Sequence, residues 1–174
     1  VNDYWMCDDG RHGWGYVHSD DRILFPTIGR GESENLVLWD AALTEVQAGI
    51  TAARDTHGEG SVAAFASPHL TNEEQFLFGK LINDGIAGAK VALRTKVDSE
   101  GDVAFKSGFA IRADKSPNAR GANEILGALG VNLSSESDLW AGIASGEIKA
   151  VLFFGGDPLD KFSDQEKEAL RGLD

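Results

Sequence analysis

The segment Ile148-Lys149-Ala150-Val151-Leu152-Phe153-Phe154 is the clearest buried strand in the chain, and it runs straight into the turn Gly155-Gly156-Asp157-Pro158. What constrains the fold most is that strands of this kind alternate with helices. Ser61 to Ala66 is a short apolar run bounded by Gly60 and Pro68, and Val91 to Leu93 is another. Between and around them lie helical patterns. Trp39, Leu43, Val46, Ile50 and Ala53 recur at helical spacing, with Asp40 placed as an N-cap and His57-Gly58 closing the helix. Thr71-Asn72-Glu73-Glu74 carries a capping box, and Phe76, Leu77, Lys80 and Leu81 continue a helix to about Asp84, before Gly85 and Gly88 break it.

Downstream, Ser99-Glu100-Gly101-Asp102 reads as a hairpin turn leading into Val103 to Phe105. Pro117 and Gly121 bracket the start of a helix through Ile125, Leu126 and Leu129. Leu139, Trp140 and Ile143 mark a further one, ended by Gly146. Ser163-Asp164-Gln165-Glu166 is a second capping box and opens the last helix. The expected class is α/β, a mainly parallel sheet with flanking helices. Residues 1 to about 35, rich in Gly, Asp, His and aromatics, show neither period and read as an irregular N-terminal segment. There Tyr4, Trp5, Trp14 and Tyr16 either pack over a cofactor or neighbouring domain or are ordinary scattered aromatics.

The chain's 174 residues suffice to bury about 70% of the unfolded surface, enough for one ordinary core with a tail. Acidic residues outnumber basic ones 28 to 16, a net charge of -12. That balance disfavours nonspecific binding to nucleic acid or to an anionic bilayer. No apolar run reaches the roughly 18 residues of a membrane span, and no signal peptide is visible. A single cysteine, Cys7, excludes an internal disulfide and fits a reducing compartment.

Three features have chemical potential. Cys7 is followed three residues later by Gly10 and then Arg11, within a glycine- and aromatic-rich stretch. A lone cysteine is commonly a small buried hydrophobe, and a single thiolate cannot hold an iron–sulfur cube, which needs one soft ligand at each iron. The second is the turn at Gly155 and Gly156, since open α/β sheets bind ligands at the carboxyl ends of strands and small residues let backbone N–H groups approach a phosphate. It is not the dinucleotide fingerprint, and such turns also occur for conformational reasons alone. Thirdly, His12, His18, His57 and His69 show no short metal-binding spacing. The carboxylate pairs Asp8/Asp9, Asp20/Asp21 and Glu73/Glu74 read as solvated surface, with Glu74 a cap.

The Cys7-Asp8-Asp9-Gly10-Arg11 segment resembles the end of the iron–sulfur domain in the large iron–sulfur subunit family of NADH:quinone oxidoreductase (complex I), which is related to the molybdopterin oxidoreductases. Trp39-Asp40-Ala41-Ala42-Leu43, Leu70-Thr71-Asn72-Glu73-Glu74, Ser116-Pro117-Asn118-Ala119-Arg120-Gly121-Ala122 and the Gly155-Gly156-Asp157-Pro158 turn occur in the order seen in that family. The resemblance implies a piece of a longer protein, consistent with the missing initiator Met. Residues 1–35 would end a 4Fe-4S domain, and residues 36–174 would form part of a molybdopterin-oxidoreductase-like α/β domain. Cys7 would be the last of four cluster ligands, and Gly155 and Gly156 a vestigial dinucleotide turn.

Two departures within the resemblance separate its branches. Molybdopterin enzymes commonly place a bridging Lys two residues after the last cluster cysteine, where this chain has Asp9. They often supply a Cys, selenocysteine or Ser after the second strand, where Ala89 to Lys96 offers none. Both match the complex I branch, so no molybdopterin is expected. Other subunits of the respiratory complex are the expected partners, with neither nucleic acid binding nor direct membrane insertion. The implied location is a peripheral arm on the cytoplasmic face of the bacterial inner membrane, or the mitochondrial matrix side. The competing readings are a free-standing acidic α/β module holding a nucleotide or similar anion, and a molybdopterin-dependent enzyme like formate dehydrogenase.

Overall fold

The structure is a computed structural model and describes residues 7–20, 22–29, 33–95, 100–155 and 162–173. The chain divides into two compact units, residues 1–47 and 48–174. The first unit is largely irregular, as its composition suggests, with only short elements before Trp39. Helix α1 (Asp8–His12) is followed by a 3-10 helix over Gly13–His18, and strand β1 (Thr27–Ile28) pairs antiparallel with β2 (Asn35–Leu36). The unit ends within helix α2 (Trp39–His57). Asp40 is not its N-cap: the helix starts one residue earlier, and the Leu38 carbonyl accepts the Ala42 N–H at 3.1 Å. Asp40 sits in the first turn, where a carboxylate still favours the helix dipole.

The second unit is the α/β layer structure. In chain order it contains β3 (Val62–Ala66), α3 (Asn72–Gly85), β4 (Lys90–Leu93), β5 (Val103–Ala104), β6 (Ala110–Ile111), α4 (Ala119–Ala128), α5 (Glu136–Ala144), β7 (Ala150–Phe154) and α6 (Asp164–Arg171). Three strands form a parallel sheet in the order β4-β3-β7, with Ala64 opposite both Val91 and Leu152. Its central strand reads Val-Ala-Ala-Phe-Ala and is buried throughout, because helices cover both of its faces. On one face Ala64 and Ala66 meet Phe78 and Ile82 of α3 and Leu126 of α4. On the other, Ala63 and Phe65 meet Leu139 and Ile143 of α5, with Ala169 of α6 packed against them. Burying a side chain the size of Leu126 contributes about 2–3 kcal/mol, so each layer is a substantial part of the stability.

Local chemistry explains the helix starts. The capping boxes predicted for α3 and α6 are both formed: Thr71 Oγ1 accepts the Glu74 N–H while Glu74 Oε2 accepts the Thr71 N–H, and Ser163 and Glu166 do the same. Helix α4 starts without a side-chain cap. Instead, Asn118 staples it to the start of α3, donating from its backbone N–H to the Pro68 carbonyl at 3.0 Å and from Nδ2 to the Leu70 carbonyl at 2.9 Å and Asn72 Oδ1 at 3.0 Å. Gly121 makes room for this staple, since a Cβ there would stand 2.3 Å from Asn118 Oδ1 and 2.4 Å from Asn72 Oδ1.

Strand β5 pairs with β6 around a turn at Lys106-Ser107-Gly108, a hairpin the sequence did not indicate, while Ser99, where the predicted turn Ser99 to Asp102 begins, lies outside the described residues. Gly108 has φ +85°, and its N–H donates to the Phe105 carbonyl at 3.0 Å. Asp102 closes the open end instead, accepting from the Ala113 N–H at 2.8 Å and from Arg112 Nη1 at 2.6 Å.

Candidate functional site

Cys7 immediately precedes α1, and its carbonyl accepts the Arg11 N–H at 3.0 Å. The side chain is exposed, and Sγ accepts the Gly10 N–H at 3.4 Å. The Cys-x-x-Gly spacing thus folds the backbone so that an amide points at the sulfur. An exposed sulfur fills no core, which removes the buried-hydrophobe reading. Arg11 also turns its carbonyl toward Trp14 Nε1, which donates at 3.0 Å, and the Trp14 ring stands edge-on to His18 at 6.0 Å. Among the described residues no three His, Cys, Asp or Glu side chains gather into a group able to hold a metal ion. The site therefore supplies one soft ligand.

The strand-end site belongs to the second unit. After β3 the chain enters α3 on one face of the sheet, whereas after β7 it enters α6 on the other. Neighbouring strands that exit to opposite faces define the switch point at which open α/β sheets bind ligands. Here Ser67 and Leu70, from the segment after β3, pack against Gly155 at the end of β7. Ser67 donates its N–H to the Phe154 carbonyl at 2.9 Å, and a Cβ on Gly155 would lie 2.7 Å from Leu70 Cδ2 and 3.1 Å from Ser67 Cβ. Gly155 has φ +77°, so both its backbone and its neighbours call for glycine without any ligand. Gly156, with Asp157 and Pro158, lies outside the described residues. Beneath Ser67, the fully buried Gln75 donates from Nε2 to the Ser67 carbonyl at 2.8 Å, and its Oε1 has no partner among the described residues.

The sheet edge beside β4 holds a cluster that no sequence pattern announced. Arg94 follows the last residue of β4 and is joined to it in register, donating its N–H to the Ala66 carbonyl at 2.9 Å. Its guanidinium lies 4.2 Å from the Phe162 ring and 6.0 Å from that of Trp140. Nε is 3.3 Å from Glu136 Oε1 of α5, and Nη2 is 3.8 Å from Glu166 Oε1 of α6. One cation thus ties β4 to both helices of that face, above the stacked rings of Phe65, Phe153 and Trp140. Burial pushes the Glu136 carboxyl above its ordinary value, against the Trp140 indole N–H and Arg94, which pull it down; Glu166 adds to the rise. The available signal was an arginine directly after a buried strand, a position that faces a helix layer as often as solvent.

No protein-family model matches this chain. Over 100 residues, 58% of its length, it is 31% identical to the NADPH-Fe(3+) oxidoreductase subunit alpha of Geobacter sulfurreducens, of which it spans 11%. Over 75 residues, 43% of its length, it is 33% identical to a Staphylococcus aureus protein provisionally named a formate dehydrogenase, of which it spans 8%. The chain thus covers about a tenth of the length of these relatives, and both carry the names of oxidoreductases.

Proposed function

We propose that this chain is part of the large iron–sulfur subunit of a respiratory NADH:quinone oxidoreductase, a protein that passes electrons from NADH along a series of clusters. Cys7 is one of four thiolate ligands to a 4Fe-4S cluster, and the α/β unit is a molybdopterin-like scaffold working without that cofactor. The observation that carries the reading is Cys7 itself: an exposed thiol, with a backbone N–H directed at its sulfur, inside Cys-x-x-Gly-Arg. A bound cluster supplies one-electron transfer. The chain supplies one of the four thiolates, and the Gly10 amide tunes the cluster's potential through its hydrogen bond to sulfur.

Four features of this chain weigh against a molybdopterin. Asp9 stands where a bridging lysine would be needed, and no Cys or Ser lies between Ala89 and Lys96. Leu70 and Ser67 pack where a ligand would meet Gly155, and Arg94 at the end of β4 is engaged by Glu136 and Glu166. The similarity to a protein named as a formate dehydrogenase favours a second reading, an active molybdopterin enzyme; the same four features weigh against it. In the first reading the partners are the other subunits of the complex and the location is its peripheral arm. No helix among the described residues is long and apolar enough to cross a membrane.

Cys7→Ala in the full-length subunit tests the proposal. It should abolish the paramagnetic signal of one cluster and leave the others intact, because no apolar side chain replaces a coordinating thiolate. An unchanged set of signals would show that Cys7 binds no cluster. Molybdenum and pterin found in the purified subunit would promote the second reading.

A further inference from the structure

Glu136 and Glu166 begin different helices and reach the same guanidinium. Glu136 is the first residue of α5 and Glu166 lies in the first turn of α6, so each carboxylate sits at the positive end of a helix dipole while facing Arg94 at the end of β4. The two contacts are unequal. Arg94 Nε is 3.3 Å from Glu136 Oε1, whereas Nη2 stands 3.8 Å from Glu166 Oε1, outside hydrogen-bonding reach. The side chains of Arg94, Glu136 and Glu166 are only 22%, 27% and 21% exposed, so solvent ions screen them weakly.

Each carboxylate also holds a second donor. Glu136 Oε1 accepts the Trp140 indole N–H at 3.3 Å, and Glu166 Oε2 accepts the Ser163 N–H at 2.6 Å as part of the α6 capping box. Glu166 thus both caps α6 and faces the residue that ties this helix to the sheet. Among the described residues, the charges that act on Glu136 are Arg94 from β4 and Glu166 from α6, with Asp138 in the first turn of its own helix. Burial and the Glu166 charge both favour the neutral acid, so Glu136 takes up a proton above the ordinary carboxylate range. A neutral Glu136 no longer competes for the guanidinium.

We propose that a proton on Glu136 hands Arg94 to Glu166 and so fastens α6 to the end of β4, making the cluster a pH-operated latch. Charged, Glu136 holds the guanidinium short of Glu166 and repels that carboxylate. Neutral, it lets the guanidinium close the 3.8 Å gap, and α6 tightens against its layer. The latch closes as pH falls and opens as pH rises. It lies within the second unit and does not depend on what Cys7 binds.

Nitrogen–proton NMR of the 174-residue chain over a pH series tests the latch, with the Trp140 indole N–H reading Glu136 and the Ser163 N–H reading Glu166. Both resonances should shift with one common midpoint above the ordinary carboxylate range. Glu136→Gln should remove that step from the Ser163 resonance, although the substitution lies in another helix. Glu166→Gln should lower the midpoint read at Trp140, because a like charge is gone. A Ser163 resonance that ignores the Trp140 midpoint, a step that survives Glu136→Gln, or an unmoved midpoint in Glu166→Gln would each overturn the proposal.

Discussion

The two units of this chain treat similar apolar residues in opposite ways. In residues 7–47 none of the described residues is buried: Trp14, Tyr16, Ile23, Leu24, Phe25, Leu36 and Trp39 are all more than half exposed. In residues 48–174, Val62, Ala63, Phe65, Leu126, Leu139 and Ile148 are 1% exposed or less. The difference is topological. The second unit has a three-stranded sheet with a layer of helices on each face, which encloses the apolar side chains that face it. Among its described residues the first has one two-residue strand pair, two short helical turns and the start of α2, with no sheet of that size to pack against. The second unit carries its own core.

The largest effect that separates the two units is expected from the cluster-ligand substitution. Cys7→Ala should remove one cluster signal entirely from the full-length subunit yet leave the thermal unfolding of the α/β unit unmoved; a shift of that transition would show that the two units are not energetically separate. Phe65→Ala should cost about 3–5 kcal/mol by emptying the site packed against the Trp140 and Phe153 rings. Trp39→Ala, at 68% exposure, should stay within about 0.5 kcal/mol. Chemical denaturation of both variants checks the pair, and equal losses would abolish the distinction drawn between the units.

Gly121→Ala should cost about 1–3 kcal/mol, because its methyl would displace the Asn118 and Asn72 amides that staple α3 to α4. Amide exchange at the start of α4 should rise in that variant. The smallest effect is a pH dependence. Burial raises the Glu136 carboxyl above its unfolded value, so its contribution to stability is fully present below the unfolded value and is lost as pH rises through the folded one. Glu136→Gln should flatten the stability profile just above the ordinary carboxylate range, as read from denaturation midpoints at a series of pH values. An unaltered profile would show that burial does not raise the Glu136 carboxyl.

Helix starts were legible because a capping box is complete within four residues. Thr71 with Glu74 and Ser163 with Glu166 announce α3 and α6 before any tertiary contact forms. The strands were legible too, since β3, β4 and β7 are short apolar runs closed by glycine, proline or charge. The hairpin turn was not. Ser99 to Asp102 and Lys106 to Gly108 both offer a positive-φ glycine, and only cross-strand pairing chose between them. Arg94 escaped for a similar reason: its partners Glu136, Phe162 and Glu166 lie more than forty residues away.

Sequence alone therefore determined the order of the main helices and strands of the second unit, the capping boxes of α3 and α6 and the parallel α/β class, all of which rest on patterns within a few residues of each other. It also determined that the chain has a single cysteine, Cys7, and that its charge is strongly acidic. Tertiary structure alone decided which apolar stripes are enclosed. Of the helical stripe Trp39, Leu43, Val46 and Ile50, the first three are exposed and Ile50 packs against the core over the sheet, whereas Leu139 and Ile143 are buried on it. It alone decided that Gly155 is required by Leu70 and by its own left-handed backbone, and that one arginine ties β4 to α5 and α6. Burial, close approach and ion pairing between distant segments depend on where the sheet brings the chain back, which no local pattern encodes.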